Sequence, residues 1–425
     1  MRNGMNAAPQ KPEMRVLALL PTRDIDRTSG GLCSRKLVEV LRDTPDIVVS
    51  EVAGEDGEGR GAAPAEQTWF RRKRGAAVSY ATGLHSSAWR EVRRWRSRIE
   101  GAVRNEGADV IFAQTKGSEF YPHFALLRAR TGIPWVANYH DPYPVSLYPE
   151  PYRTRVPVIS FWQERLHARV LRHCGALTFP SERLLRWVLA GPFERYREKA
   201  FVVPHVARWA EDGGGAADPA VCLEDGWTPG SFVLLHTGTL LSKRSPRNLI
   251  RAYRRFLEGS PERREKSRLV FVGRAHRDHE NQREWIEARE HPNIEIVARR
   301  VPYSESLRLL RAAAVPVVLE ASGAESPFYP GKLADYLAAE KPVLALSPGQ
   351  SVTADLLGRD YPLLVSPDDE EGIARAIERA WTHWKQGSLA SLRPPASARL
   401  ASSPEVVRRR LIEAFEYARS RRGTR

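Results

Sequence analysis

A lysine and an aspartate stand three residues apart in FYPGKLADYLAAEKPVLAL, residues 328–346. A Pro-Gly pair breaks the chain directly before them, so the sequence predicts that Lys332 lies in the first turn of a short helix. The positive end of the helix dipole is an unfavourable place for a cation unless an anion shares the site. The spacing puts Lys332 and Asp335 on one helix face. The stretch therefore predicts a site for an anionic ligand.

A second candidate anion site follows the apolar run FVLLHTG, residues 232–238. Gly238 and Thr239 are predicted to make a turn, Lys243 and Arg244 to lie in the loop, and a Ser-Pro pair to begin a helix. Backbone amides at a helix start and side-chain cations both favour phosphate. These residues therefore predict a phosphate site at the end of the strand.

Two glycines and a histidine follow strands in the N-terminal half. Gly30 and Gly31 are expected to precede a helix, where their amides can approach an anion, although the G-x-G-x-x-G pattern of dinucleotide sites is missing. His140 and Asp141 emerge in NYHDPYP at the end of a strand, where open α/β sheets present ligand-binding residues. A structural, hydrogen-bonded role for His140 stays open. His236, inside an apolar run, is interpreted as a core or strand-end residue.

No metal site is predicted. Asp24 and Asp26 form a D-x-D pair of the kind that chelates a metal on a nucleotide diphosphate, but arginines flank them and favour a solvated loop. Cys33, Cys174 and Cys222 lie far apart and lack metal-ligand spacing. They are expected to be reduced thiols in a reducing compartment.

The elements that must position these residues alternate between strand and helix. Short apolar runs separated by helix-like segments are typical of buried parallel strands. The predicted strands of a first series are 15–20, 47–52, 109–114, 134–139, 176–179 and 201–204. Those of a second series are 232–238, 268–273, 294–297, 315–320, 342–346 and 362–365. The predicted fold class is α/β, with two Rossmann-like, doubly wound parallel-sheet domains and an interdomain cleft as the expected active site.

Composition divides the 425 residues into five parts. They are a disordered leader at 1–13, a first domain at 14–207, a linker at 208–230, a second domain at 231–400 and a C-terminal helix within 401–425. Ser403 is the predicted cap of that helix, with Pro404 at its first position.

The formal net charge of +15 indicates a polyanionic partner. Nine basic residues lie between Arg71 and Arg98. The apolar residues interleaved with them are Tyr80, Leu84, Trp89 and Trp95. Two interpretations stay open: a solvated helical face, or an interfacial element that rests on anionic lipid headgroups. No apolar run is long enough to span a bilayer and no secretory signal is recognised, so the expected location is cytoplasmic. Peripheral association with the inner face of the membrane stays open.

These features resemble the retaining, GT-B-fold glycosyltransferases of family 4, and the resemblance covers nearly the whole chain. In that family two Rossmann-like domains clamp a nucleotide-sugar, and a C-terminal helix crosses back over the first, acceptor-side domain. Members share a Gly-Gly loop, a histidine after a mid-domain strand, and a second-domain pattern G-R-L…K-G…L-I-x-A. The corresponding residues here are Gly30, Gly31, His140, Gly238, Thr239 in place of an arginine, and Arg244 in place of a lysine.

The resemblance also implies a donor site. The second glutamate of the family's E-x7-E element grips the nucleotide ribose, and Asp335 stands in its place. Pro327 occupies the first position, so Glu325 or Glu320 is the candidate substitute that holds the donor sugar. Lys332 is predicted to supply the cation that the second-domain pattern lacks, together with Lys243 in the neighbouring loop.

The implied reaction moves a sugar from a nucleotide-diphosphate donor to a carbohydrate or lipid-linked acceptor with retention, in cell-surface polysaccharide or glycolipid assembly. Arg244 and Lys332 would stabilise the leaving diphosphate, and His140 would bind near the sugar and phosphate. The acceptor hydroxyl would attack from the face of the departing phosphate, which takes its proton. No metal, cofactor or protein nucleophile is required.

Three other functions stay open. A nucleotide-sugar 2-epimerase has the same fold but needs acid and base groups, for which the sequence offers no convincing set of carboxylates. A nucleic-acid-binding protein fits the charge but would need a recognisable binding module, so nucleic acid is not the expected partner. A catalytically inactive scaffold is suggested by the departures at Thr239 and Pro327.

Overall fold

The computed structural model describes residues 14–22, 28–54, 75–115, 117, 119–207 and 230–421. The predicted leader, most of the predicted linker, the pair Asp24 and Asp26, Cys222 and residues 71–74 lie outside the described residues. Contacts divide the chain into two units. The first holds the described residues of Met1–Ser146, Arg155–Val203 and Val407–Arg425, and the second those of Leu147–Thr154 and Pro204–Val406.

The first unit is built on a six-stranded sheet. Its strands are β1 (Met14–Leu20), β2 (Ile47–Ala53), β3 (Val110–Ala113), β4 (Trp135–Asn138), β5 (Ala176–Phe179) and β6 (Ala200–Val202). All neighbours are parallel, in the spatial order β2-β1-β3-β4-β5-β6. The helices are α1 (Ser29–Arg42), α2 (Ser86–Glu106), α3 (Tyr121–Leu126), α4 (Pro157–His173) and α5 (Glu182–Val188), and the chain is also helical at 75–82. Every residue of β3, β4 and β5 is apolar or buried, as expected for strands covered on both faces.

The second unit repeats this architecture. Its strands are β7 (Phe232–Thr237), β8 (Ser267–Val272), β9 (Ile294–Val297), β10 (Val315–Leu319), β11 (Glu325–Ser326), β12 (Leu344–Leu346), β13 (Gln350–Ser351) and β14 (Leu364–Val365). Six of them form a parallel sheet in the order β14-β12-β10-β7-β8-β9, while β11 and β13 pair separately. The helices are α6 (Arg247–Glu258), α7 (Pro261–Lys266), α8 (Arg277–Glu280), α9 (Arg283–Arg289), α10 (Tyr303–Ala312), α11 (Gly331–Ala338), α12 (Val352–Leu357), α13 (Glu370–Lys385) and α14 (Ala396–Ala401).

Every predicted strand is present within two residues of its predicted bounds, so the prediction of two Rossmann-like α/β domains is confirmed. The two-residue strands β11 and β13 were not predicted. No helix among the described residues is long and apolar enough to cross a bilayer.

A last helix, α15 (Pro404–Ser420), begins at the predicted proline. The backbone N–H of Val406 donates to Ser403 Oγ at 3.4 Å, so the predicted cap is also present. From Val407 onward the helix belongs to the first unit, where the rings of Phe415 and Phe112 meet edge to face at 5.4 Å. A Cβ atom on Gly175 would lie 2.8 Å from the Cβ of Ala418, so the absent side chain allows this close approach.

Three of the four apolar residues in the basic segment that ends at Arg98 are buried or half-buried. Leu84 and Trp95 are buried in the core of the first unit. Trp89 is half-buried, its indole N–H donates to Thr82 Oγ1 at 2.7 Å, and a guanidinium group stacks on its ring. Tyr80, by contrast, is 53% exposed. Both interpretations of the segment, a solvated helical face and an element that rests on anionic lipid headgroups, therefore stay predictions.

Candidate functional site

In the second sheet, the order in which the chain adds strands reverses between β7 and β10. From β7 the chain moves outward through β8 and β9, then returns to place β10 on the other side of β7. In open α/β sheets, ligands bind at the carboxyl ends of the strands at such a switch point. His236, Gly238 and Glu320 lie at this edge, at or just beyond the ends of β7 and β10.

Lys332 reaches this edge from α11, which begins at Gly331 as the Pro-Gly pair predicts. Its Nζ lies 3.2 Å from His236 Nε2. Gly238 has a φ of 117°, and a Cβ atom there would lie 3.2 Å from Lys332 Nζ. Glycine thus leaves room for the ammonium group beside the strand end, and the structure brings these two predicted site residues together.

His236 orients the lysine. Its Nδ1 lies 3.2 Å from the carbonyl oxygen of Val317 on β10, so Nδ1–H donates to that oxygen and Nε2 accepts from the Lys332 ammonium group. Burial, and then the Lys332 charge, hold the pKa of His236 well below its ordinary value. His236 is therefore a neutral acceptor at the strand end. The sequence predicts His236 as a core or strand-end residue, but no local pattern indicates its contact with Lys332.

Arg244 adds a second cation at the same edge. Burial and then the charge of Arg244 lower the pKa of Lys332 to about 7. The Arg244 Nε–H donates to the Tyr152 hydroxyl at 3.2 Å. Two cations that repel one another make a site that favours an anion. Thr239 and Lys243 lie exposed in the turn between Gly238 and Arg244.

Asp335 lies one turn further along α11 and is buried. Its Oδ1 accepts a hydrogen bond from the Tyr303 hydroxyl at 2.8 Å, whereas Lys332 contacts His236. The two residues of the motif thus contact different elements, α10 and β7. The role of Asp335 as a ribose anchor stays a prediction.

Glu320 is held in place by three hydroxyl groups, and its candidacy as a sugar-holding residue stays a prediction. Its Oε1 accepts from the hydroxyls of Ser347 and Thr353, at 2.7 and 2.6 Å, and its Oε2 accepts from Ser326 at 2.5 Å. Both oxygens of this buried carboxylate are therefore engaged. Glu325, the other candidate, is half-buried in β11.

In the first unit, the paired glycines lie inside the first turn of α1 and not before it. Thr28 caps the helix, and its Oγ1 accepts from the backbone N–H of Gly31 at 3.0 Å. Gly30 and Gly31 are both buried. This cap starts α1 earlier than expected and engages one of the two amides proposed for anion binding.

His140 lies at the carboxyl edge of the first sheet, as predicted. Its backbone N–H donates to Thr115 Oγ1, just beyond β3, at 3.1 Å. A ring nitrogen lies within 4.8 Å of Cys33 Sγ on α1. The histidine therefore faces α1, the helix whose first turn holds the paired glycines, close to the switch point between β1 and β3.

Two family models match the chain and follow its two units. The model described as Glycosyltransferase Family 4 matches residues 36–205, and that described as Glycosyl transferases group 1 matches residues 231–383. No curated protein sequence matches the chain.

Solved structures share the fold at low identity. The α,α-trehalose 6-phosphate synthase of Burkholderia multivorans is 14% identical, with a TM-score of 0.59 over 96% of this chain and 99% of that one. The UDP-forming α,α-trehalose-phosphate synthase of Burkholderia xenovorans is 15% identical, with a TM-score of 0.61 over 95% and 99%. The N-terminal domain of Candida albicans trehalose-6-phosphate phosphatase is 14% identical, with a TM-score of 0.61 over 96% and 98%.

The models cover a large part of each unit, and the solved structures extend the likeness in fold to nearly the full length of the chain. The chain therefore belongs to the GT-B-fold glycosyltransferases of the family 4 and group 1 type.

Proposed function

We propose that the protein transfers a sugar from a nucleotide-diphosphate donor to a glycan or lipid-linked acceptor, with retention and without a divalent metal. The observation that carries this proposal is the position of Lys332 at the switch point of the second sheet, where its Nζ lies 3.2 Å from His236 Nε2 and beside Gly238. Arg244 lines the adjoining pocket together with Glu320 and Glu325. A donor diphosphate bound between the two cations would offset their mutual repulsion and pair with both of them.

The same cations suit the chemistry of the leaving group. As the bond between the sugar C1 and the phosphate oxygen breaks, negative charge develops on the diphosphate, and fixed cations lower the barrier to that change. The acceptor oxygen forms the new bond to C1, and its proton passes to the departing phosphate oxygen. No protein nucleophile takes part, and His140 would bind near the sugar.

A UDP-sugar is the first donor to test. Structural relatives are described as UDP-forming, and one was solved with UDP-2-fluoro glucose. The acceptor is proposed to be a carbohydrate or a lipid-linked sugar in cell-surface polysaccharide or glycolipid assembly. Such a lipid-linked acceptor would place the enzyme at the cytoplasmic face of the membrane.

The test is a thermal-shift panel of UDP-, GDP- and dTDP-sugars, followed by transfer from the labelled donor that stabilises the full chain. Arg244→Ala should weaken donor binding roughly ten- to hundredfold, because a charged hydrogen bond contributes about 1.5–3 kcal/mol. Arg247→Ala is the matched control, since Arg247 lies three residues away and pairs with Glu284 at 3.7 Å.

Three results would contradict the proposal. The first is that no nucleotide-sugar stabilises the protein. The second is that Arg244→Ala and the control bind the donor with equal affinity. The third is that a chelator abolishes activity and added Mg²⁺ restores it. Conversion of the donor to its 2-epimer without a transfer product would support the epimerase instead. The anomeric configuration of the product, read by NMR, decides retention.

A further inference from the structure

The amino-terminal turns of α4 leave large apolar side chains in solvent. Val158, Phe161 and Trp162 are 49%, 51% and 37% exposed, and Val156 just before the helix is 39% exposed. The rings of Phe161 and Trp162 meet edge to face at 5.3 Å. Nine large apolar residues are exposed in the described part of the chain, and four of them fall within 156–162. This concentration differs from the scattered single residues that a surface normally carries.

Arginines continue the same helix face. Arg165, Arg169 and Arg172 are exposed and follow Phe161 at steps of three or four residues, the spacing that keeps side chains on one side of a helix. The Arg165 guanidinium lies 5.5 Å from the centre of the Phe161 ring. The opposite side of α4 is buried in the first unit through Leu166, His167, Val170 and Leu171.

The helix α4 itself contributes no carboxylate to this face. The sequence of α4 contains one acidic residue, Glu164, whose Oε1 accepts from the Ser146 hydroxyl at 3.0 Å. We define the α4 stripe as Val158, Phe161, Trp162, Arg165, Arg169 and Arg172. It is apolar and aromatic in its first half and cationic in its second. From Val158 to Arg172 it extends about 21 Å at a rise of 1.5 Å per residue.

We infer that the α4 stripe binds the surface of a bilayer that contains anionic phospholipid. The helix would lie in the plane of the interface, with Phe161 and Trp162 at the boundary between headgroups and acyl chains. Arg165, Arg169 and Arg172 would meet lipid phosphates. A second copy of the chain is a poorer occupant, because two copies with a formal net charge of +15 each repel one another. The inference does not depend on the transfer reaction.

Vesicle flotation with the full chain tests this surface. Wild-type protein should float with vesicles of phosphatidylcholine and phosphatidylglycerol, bind phosphatidylcholine alone more weakly, and be released by salt. Phe161→Ser with Trp162→Ser should lower the partition coefficient at least about tenfold, because the apolar area that enters the interface is lost. Replacing the three stripe arginines with glutamine should abolish the preference for the anionic vesicles.

The control is Ile286→Ser with Leu400→Ser, which removes two equally exposed apolar side chains from the second unit. It should float as the wild type does. Flotation that fails in the wild type, or that is equal in the stripe and control variants, would overturn the inference. So would a wild-type dimer that the stripe variants dissociate, since that result assigns the stripe to a second copy. Unchanged circular dichroism and melting temperature would show that the variants are folded.

Discussion

At the scale of single residues, the proposed donor site centres on one hydrogen-bonded pair. Lys332 donates to neutral His236, which is fixed in turn by the Val317 carbonyl oxygen. The lysine was predicted from the sequence, because a cation in the first turn of a helix requires an anion nearby. Its histidine partner lies 96 residues earlier. A contact at that separation leaves no local pattern, so the sequence marked the lysine and missed the group that orients it.

The lowered pKa of Lys332 predicts that donor binding takes up a proton. With a pKa of about 7, the free lysine is partly neutral at neutral pH, and a bound diphosphate favours its charged form. The sign follows from linkage: the complex holds more protons than the free protein, so affinity for UDP falls as pH rises above about 7. Calorimetry at pH 7 in buffers of different ionisation enthalpy should report an uptake of about half a proton from this group.

Lys332→Arg provides the comparison, because arginine stays charged throughout this pH range. Titration of the UDP phosphate itself contributes equally to the proton uptake of both proteins. The further uptake that Lys332 causes in the wild type should be missing in Lys332→Arg, and the affinity of the variant for UDP should depend less on pH. Identical proton uptake in the variant and the wild type would show that Lys332 is not the titrating group.

At the scale of elements, predictability followed the length of the apolar runs. Strands of four to seven residues such as β1 and β5 were predicted because several consecutive apolar residues mark a buried parallel strand. The pair β11 and β13 has only two residues in each strand, and all four are polar, so no apolar run marks them. The equally short β14 was predicted because it lies in an apolar run. What holds this ribbon is Glu320, whose carboxylate joins Ser326 to Ser347 and Thr353.

Glu320→Gln should therefore destabilise the second unit. A glutamine has one acceptor oxygen in place of two, so at least one buried hydroxyl loses its acceptor, at a cost of about 1–3 kcal/mol. Urea unfolding is monitored through hydrogen exchange in β10 and β12, and its midpoint should fall accordingly. Glu258→Gln, on the exposed side of α6, is the control. Equal midpoints for the two variants would mean that the hydroxyls find other partners.

At the scale of the whole molecule, the chain repeats one architecture, and the last helix in sequence belongs to the first unit. Both sheets are six-stranded and parallel, and in each the strand order reverses once. The predicted site residues of each sheet lie near that switch point. The strand pattern predicts this duplication. It does not predict that α15, the last element in sequence, completes the core of the first unit, because that depends on packing between Phe415 and Phe112 some 300 residues apart.

Phe415→Ala tests this connectivity. Phe415 is fully buried, and truncating such a phenylalanine costs about 3–5 kcal/mol through lost burial and the cavity left behind. Because the ring packs on β3, hydrogen exchange should become faster in Val110–Ala113 while Ser267–Val272 of the second unit keeps its protection. Leu400→Ala, an exposed position on α14, should change neither. Equal loss of protection in both sheets would show that the helix stabilises the two units together, and no loss in β3 would show that the first unit is stable without this contact.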